Sequence, residues 1–268
     1  MKTIPPRQRY LDVGGSFIKC ADGSQVPISS GGSREEIAAA LKTAVGDTDG
    51  LEALGVAIPG PFDYQEGVFL MKHKFAAVFG ESFRSLAGIP DTVTVRYHHD
   101  VNAVLLGAVN SLGLQDSNTA LVTLGTGLGY SCALKGKVQY NAMGSPARHL
   151  WDLPLGDGIL EDVVSGRGIS QAYARKTGDA SQSAYSVAMM AYAGKQAALE
   201  VYREVGETLG RALQPEVKLL DIDTLLVGGQ IAKSLSLMKE ALQEALPDLW
   251  ILSVPDGAVF EGLASLFR

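Results

Sequence analysis

Residues Leu121 to Val138 read LVTLGTGLGYSCALKGKV. An apolar run, Leu121 to Leu124, meets Gly125, Gly127 and Gly129. A second β-prone run, Tyr130 to Leu134, follows, and then Lys135-Gly136-Lys137. The pattern predicts strand, Gly-rich turn, strand, tight turn, strand. Glycine carries no side chain to hold a ligand off and tolerates positive φ. Glycines interleaved with Thr123 and Thr126 can therefore aim backbone N–H groups and two hydroxyls at one anion. For the stretch alone, an ordinary hairpin turn is the plainer reading. It has a counterpart near the N-terminus, where Tyr10 to Ala21 reads YLDVGGSFIKCA: strand, Gly-Gly, hydroxyl residue, strand. Two such hairpins, each opening one half of the chain, point to a duplicated unit that clamps a ligand between its copies.

The totals agree with a folded α/β protein of two modest domains. There are 268 residues, 46% of them hydrophobic and 19% charged, enough to bury two cores. The 31 glycines exceed the usual ~7 per cent and fit many tight turns. The net charge of −6 comes without a basic cluster, which argues against nucleic-acid binding, since phosphate neutralisation needs clustered Lys and Arg. No run approaches the ~18 uninterrupted apolar residues of a membrane span. The first residues, MKTIPPRQRY, lack the apolar core of a signal peptide. The two cysteines, Cys20 and Cys132, each follow a Gly-rich turn in a strand and read as core residues. The expectation is a reduced, cytoplasmic protein.

Along the chain, Asp12 stands between Leu11 and Val13 just before Gly14-Gly15-Ser16. A carboxylate in an apolar strand is costly unless it is paired, caps a turn or holds a metal through water. Ser33 and Glu36 form a capping box, with Ile37, Ala40, Leu41 and Ala44 on one helical face. Leu54 to Ile58 is a buried strand that ends in Pro59-Gly60-Pro61-Phe62-Asp63, a stiff loop at a strand's C-terminal end where α/β sheets place ligands. Thr92 to Tyr97 is a strand. His98-His99-Asp100-Val101-Asn102-Ala103 opens a helix to about Leu112, so Asp100 is either an N-cap or a carboxylate free to accept a proton. His98 and His99 alternate faces on a strand and read as partners of local backbone, not as ligands of one ion. Tyr140 to Gly158 reads as an ordered irregular loop, Leu160 to Thr177 as one helix and Ala184 to about Leu213 as one long alanine-rich helix. Thr224 to Val227 is a strand running into Gly228-Gly229. A helix carrying Ile231, Leu235 and Met238, a strand from Trp250 to Val254 and a closing helix from Gly257 to Phe267 complete the chain.

This order of motifs resembles the ROK family of sugar kinases, within the actin–hexokinase–Hsp70 superfamily. LDVGGSFIK is similar to the family's first phosphate motif and GVAIPGPFD to its PGP segment. HDVNAVLLGA is similar to the motif that carries the catalytic base, and LVTLGTGLGYSCALKGKV to the second phosphate motif. LEDVVSG, LLVGGQIA and AVFEGLASL resemble the helix after the zinc loop, the adenosine-side turn and the closing helix. The resemblance covers essentially the whole chain. It implies two ribonuclease H-like (actin-like ATPase) domains with a cleft between them, residues 1–106 joined by the closing helix 256–268, and residues 107–255. It implies ATP and Mg²⁺ as cofactors and transfer of the γ-phosphate of ATP to a hexose hydroxyl, with Asp100 as general base. Asp12 would hold Mg²⁺ through water. Gly14, Gly15 and Ser16 from one side, and Gly125, Thr126 and Gly127 from the other, would approach the phosphates. Gly228 and Gly229 would leave room for adenosine. Gly60, His99, Asp100, His149 and Glu161 would line the sugar, and a homodimer is implied.

The departures fall on the acceptor. No cysteine lies beyond Cys132, so zinc held in the family's manner is excluded. Ser145 to Arg148 stands where the family's Gly-Glu-x-Gly-His glutamate is expected, His99 stands in place of an Asn, and His73-Lys74-Phe75 lies where another sugar-contacting Asn is expected. These changes touch hydroxyl recognition and leave the phosphate machinery alone, so glucose is not assured. A non-catalytic sugar- or nucleotide-binding regulator of the same fold is the alternative. The relatives that act as repressors carry a helix-turn-helix, and here only about ten residues precede the first predicted strand. A kinase using polyphosphate is a lesser reading, because such a donor favours a basic groove.

Overall fold

The computed structural model describes residues 7–268. The first six residues, on which the signal-peptide reading and the start of the first domain partly rest, lie outside the described residues. The chain forms two compact units. The first takes the chain as far as Gly113, then Tyr140–Ala147 and Pro255–Arg268; the second takes Leu114–Gln139 and Arg148–Val254. The domain boundary expected at 106/107 falls within the helix Asp100–Leu112, and the first break between the units comes at that helix's end.

The first unit opens with β1 (Arg7–Val13), β2 (Phe17–Cys20) and β3 (Gln25–Pro27). Helix α1 (Arg34–Val45) follows, with the Ser33/Glu36 capping box formed and Ile37, Ala40, Leu41 and Ala44 buried. Then come β4 (Leu51–Ile58), the small hairpin β5 (Phe62–Asp63) and β6 (Val68–Phe69), a short helix α2 (Phe83–Ala87), β7 (Thr94–His99) and α3 (Asp100–Leu112). The sheet order is β3-β2-β1-β4-β7, antiparallel through the opening strands and parallel from β1 onward. Helix α9 (Ala258–Ser265) closes this unit against α3. A Cβ on Gly107 would stand 1.7 Å from the Ala258 carbonyl oxygen, and one on Gly262 would stand 2.0 Å from that of Ala103. Two glycines facing each other allow the helix backbones to touch.

The second unit repeats the plan with β8 (Thr119–Leu124), β9 (Leu128–Leu134) and β10 (Lys137–Val138). A small hairpin, β11 (Pro154–Leu155) and β12 (Gly158–Ile159), precedes α4 (Leu160–Val164) and α5 (Gly166–Thr177). Next are α6 (Ala184–Tyr192), α7 (Gln196–Leu220), β13 (Thr224–Gly228), a 3₁₀ segment Ile231–Leu237, α8 (Lys239–Ala245) and β14 (Trp250–Ser253). Its sheet order, β10-β9-β8-β13-β14, is that of the first unit strand for strand. The duplication expected from the two glycine hairpins is therefore present in the topology. Each unit has its own core, around Leu11, Ile18, Leu54 and Phe62 in the first and around Val122, Leu124, Tyr202 and Leu225 in the second.

Three helix expectations are corrected. The single helix expected over 160–177 breaks at Ser165, which ends α4 and caps α5 by accepting the Gly168 N–H. The long helix expected over 184–213 breaks at Ala193-Gly194-Lys195, where Gly194 has φ 79°, and its second half runs on through Pro215 to Leu220. The helix expected after Gly229 begins as 3₁₀ turns, with Ile231, Leu235 and Met238 all buried as their spacing required. Among the described residues no helix is long and apolar enough to cross a membrane.

Candidate active site

In the first unit the β7–α3 junction presents Asp100. His99 has the extended backbone of an N-cap, and Asp100 is the first helical residue, so of its two readings the N-cap one falls away. The carboxylate Oδ1 accepts the Val101 N–H at 2.8 Å and lies 2.8 Å from His99 Nδ1. That nitrogen is also 3.3 Å from the Val101 N, but it can serve the carboxylate only as a donor, so the shorter contact fixes its proton. Burial pushes the Asp100 carboxyl up; the hydrogen bond and charge of His99, the Val101 N–H and the charge of Lys74 outweigh it, and the net shift is downward. Asp100 is thus an ionised carboxylate at neutral pH, with a side chain 35% exposed. His98, by contrast, turns inward. Its Nδ1 accepts the His99 N–H at 3.1 Å, and burial, followed by the His99 charge, lowers its pKa to about 4. His98 thus serves local backbone, as read from the sequence, whereas His99 serves the Asp100 carboxylate, which the sequence reading did not anticipate.

Asp12 lies one residue before the end of β1 in the same unit. Burial raises its carboxyl; Lys19 Nζ at 3.3 Å opposes this only in part, and Asp100 adds a further upward push. The two carboxylates therefore sense each other. The turn that follows is tight. The Gly14 N–H donates to Phe17 O at 2.9 Å, Gly15 O accepts the Ser30 N–H at 3.0 Å, and Ser16 is exposed. Gly60 is walled in by three residues, since a Cβ there would stand 3.3 Å from Ser145 Oγ, 3.3 Å from Tyr64 Oη and 3.5 Å from the His99 ring. Gly60, His99 and Ser145 are thereby brought together beside Asp100.

The sequence reading missed two residues in this group. Tyr64 is buried. Its hydroxyl donates to Ile58 O at 3.1 Å and is hydrogen-bonded by Ser145, and its ring lies 5.9 Å from that of His99. Asn102, fully buried, donates from Nδ2 to Gly144 O at 3.2 Å and so holds the Tyr140–Ala147 segment to α3. Asn102 lies within the quoted HDVNAVLLGA motif. Tyr64 has no local signal, because its partners are remote in sequence.

In the second unit the β8–β9 turn holds Gly125, Thr126 and Gly127. A Cβ on Gly125 would meet nothing within 4 Å, and Thr126 is exposed. Two bonds fix the turn from outside. Glu161 Oε2 accepts the Leu128 N–H at 2.9 Å, and the Gly166 N–H donates to Gly125 O at 2.8 Å. A Cβ on Gly127 would fall 2.7 Å from Glu161 Oε2. Glu161, expected at the sugar, braces the β8–β9 turn. Gly228 ends the neighbouring strand β13 and Gly229 follows it; both make room for protein. A Cβ on Gly228 would stand 2.9 Å from Val254 Cγ2, and one on Gly229, at φ 86°, 2.3 Å from Leu124 O. His149 is exposed and pairs with Asp152, Nε2 to Oδ1 3.2 Å. Its loop is held by Arg148, which forms a two-point bond to the buried Glu216 of α7, Nε–Oε2 2.5 Å and Nη2–Oε1 2.7 Å. The Glu161 N–H also donates to Trp151 O at 3.0 Å.

Fold and residues together define a class: a duplicated α/β protein with the actin-like ATPase fold, each unit opening on a glycine-turn hairpin. Within that class residues 155–259 match the model of the ROK family. Solved ROK structures share the fold across the chain. A ROK family glucokinase from Streptomyces griseus, in complex with glucose and AMPPNP, is similar at TM-score 0.78 and 21% identity, over 97% of this chain and 98% of that one. The ROK hexokinase of Thermus thermophilus is similar at TM-score 0.71 and 22% identity, over 95% of each chain. A ROK family transcriptional regulator, a homologue of the E. coli MLC protein, is similar at TM-score 0.78 and 18% identity, over 96% of this chain and 77% of that one. The fold thus serves both kinases and a regulator. No curated protein matches the chain.

Proposed function

We propose that this protein is an ATP-dependent sugar kinase that transfers the γ-phosphate of ATP to a sugar hydroxyl, with Asp100 as general base. The observation that carries the reading is the Asp100 carboxylate. It is kept ionised by His99 Nδ1 and the Val101 N–H, yet it is exposed enough to take a proton. The likeness to a glucokinase that binds glucose and AMPPNP supports the class of donor and acceptor. Phosphoryl transfer asks the protein mainly for position and charge, so one well-placed carboxylate suffices as base. Gly14, Gly15 and Ser16 supply one phosphate contact, and Gly125, Thr126 and Gly127 the other. Gly60, His99, His149 and Glu161 are the sugar contacts, and Gly228 and Gly229 border the nucleotide.

Mg²⁺ fits this donor set. Asp12 is a buried carboxylate that Lys19 only partly neutralises, with a second carboxylate near it, and Mg²⁺ is held by one or two carboxylates together with waters and substrate phosphates. Asp12 would hold the ion, which when bound would neutralise charge on the phosphates. The two buried free cysteines are consistent with a reduced, cytoplasmic enzyme. A homodimer belongs to the same reading. Its candidate face is α6, where Tyr185, Met189 and Tyr192 are exposed at helical spacing, and light scattering on the purified protein measures the state.

The test is ADP release from Mg-ATP across hexoses, amino sugars and N-acetylated sugars, beside Asp100→Asn. The expected result is acceptor-dependent ADP that falls at least ~100-fold in the variant, the range for loss of a general base. ATP binding without turnover on any acceptor would refute the kinase and favour the regulator.

A further inference from the structure

Among the described residues Glu216 is the only charged one that is buried. It lies on the apolar face of α7, one turn beyond the buried Leu213. A carboxylate there loses its hydration and must be paired and hydrogen-bonded to stay charged. Arg148 supplies both, gripping Oε2 with Nε and Oε1 with Nη2, and the Tyr130 hydroxyl of β9 stands 3.5 Å from Oε2. Stability alone does not account for the arrangement. A buried ion pair gives little net stability over apolar side chains of similar volume. What a two-point bond adds is direction, because a planar guanidinium meets a carboxylate in one plane and at one distance.

What it directs is the stretch that follows. Between Arg148 and α4 the regular structure consists of the two-residue strands β11 and β12. The other fastenings lie farther along the chain. The Leu150 side chain is buried, the Leu153 N–H donates to Leu150 O at 3.2 Å, and the Leu160 N–H donates to Leu153 O at 2.8 Å. The Glu161 N–H donates to Trp151 O. His149 comes directly after Arg148 and ahead of them all. Its side chain is exposed, and its ring lies 6.0 Å from that of Trp151. The ion pair thus clamps the end of the loop that carries His149, and every group in this set of contacts belongs to the second unit.

We infer that Arg148 and Glu216 are a positioning pair: they do not touch the acceptor, and they hold the His149–Trp151 loop in the place from which it meets the sugar. That the loop meets a sugar rests on the kinase reading above; the hold on the loop does not.

The experiment compares the wild-type side chains with Arg148→Lys, Glu216→Gln and the double variant Arg148→Met/Glu216→Leu. All are made in a Trp250→Phe background, which leaves Trp151 as the one tryptophan. The double variant removes both charges together, so no carboxylate is left buried and unpaired. Thermal melts establish that each protein is folded. Time-resolved anisotropy of Trp151 reads the motion of the loop. Calorimetry reads the affinities for glucose, mannose, glucosamine, N-acetylglucosamine and an ATP analogue, and ADP release gives KM and kcat. In the double variant the fast depolarisation of Trp151 is expected to grow roughly twofold in amplitude, on the nanosecond scale of loop motion. The affinity for the sugar should fall and its KM rise about tenfold, the size of re-ordering one loop residue on binding. The kcat and the affinity for the ATP analogue should stay close to wild type. Arg148→Lys, which keeps the charge but not the fork, should fall in between. An unmoved sugar affinity in the folded double variant would overturn the inference, and so would an equal loss for sugar and ATP analogue, which marks a merely structural pair. If the double variant melts below the working temperature, Arg148→Lys and Glu216→Gln decide by the same readings. Sugar binding that weakens as Trp151 loosens, with no ADP released by any of the proteins, would sink the kinase reading and leave this one standing. ADP release with an unmoved KM would do the reverse.

Discussion

Asp12 and Asp100 lie in one unit and are tuned in opposite directions. Asp100 is held down by donors, whereas Asp12 is held up by burial and by its neighbour's charge. For Asp12 the folded state holds its proton more tightly than the unfolded chain, so the charged form costs stability above the unfolded pKa, and the cost fades as pH falls below it. Asp12→Asn should therefore raise the melting temperature at pH 7 while abolishing turnover, and the gain should vanish below pH 4. Equal melting curves at pH 7 would show that Lys19 compensates the charge in full. His98 has the opposite sign. Its folded pKa of about 4 lies below the ordinary 6.5, so the unfolded chain gains the proton first, and stability on the order of 3 kcal/mol is lost as pH falls from 6.5 to 4. Denaturation midpoints of His98→Gln should lose that slope. Asp12 and Asp100 were legible in the sequence because each stands at the end of a strand beside a turn or helix start. Tyr64 and Ser145 were not read as partners because their meaning lies in a contact with each other and with Gly60, and no periodicity records that.

At the scale of elements, the glycine hairpins, the capping box and the strands β4, β7, β13 and β14 could be read because their signals are local. The break at Ser165 could not. Ser and Gly inside a helical pattern are ambiguous until the Ser hydroxyl is seen to accept Gly168 N–H and the Gly166 N–H to meet Gly125 O. Pro215 misled in the other direction, since the apolar face continues past it through Val217 and Leu220 and packing outweighs the lost backbone bond. In α7 the small residues serve close packing within the unit: Cβ atoms on Gly206 and Gly210 would fall 2.6 Å from Met238 O and 2.5 Å from Ala245 Cβ. The brace between α4 and the β8–β9 turn makes a prediction. Glu161→Ala frees the Leu128 N–H and should raise the dissociation constant of an ATP analogue severalfold even without sugar, whereas a residue that touched only the sugar would leave it unchanged. The α3–α9 crossing makes another. On an open helix Gly→Ala gains ~1 kcal/mol. At Gly107 the new methyl would enter the Ala258 carbonyl, so Gly107→Ala should lose about 3 kcal/mol or more in chemical denaturation.

Over the whole molecule the chain passes between the two units at Gly113/Leu114, Gln139/Tyr140, Ala147/Arg148 and Val254/Pro255. The second unit finishes with β14, while the first is completed only by the last segment. Helix α9 brings Leu263, fully buried, and Gly262 onto α3, and Ala57 of β4 joins that cluster. A chain ended after Val254 therefore lacks one wall of the first unit and nothing of the second. Burying Leu263 alone is worth roughly 2 kcal/mol, and the uncovered Ala57 and Ala103 add to the loss. Net stabilities of domains are only about 5–15 kcal/mol. Truncation should thus open the first unit selectively. Hydrogen exchange read by mass spectrometry tests this, with amides of β1, β4 and β7 losing protection while those of β8, β9 and β13 keep theirs. Both tryptophans, Trp151 and Trp250, belong to the second unit, so the fluorescence-detected transition should survive the truncation. Its disappearance would mean that the two repeats, although each has a core of its own, are stable only as one cooperative body.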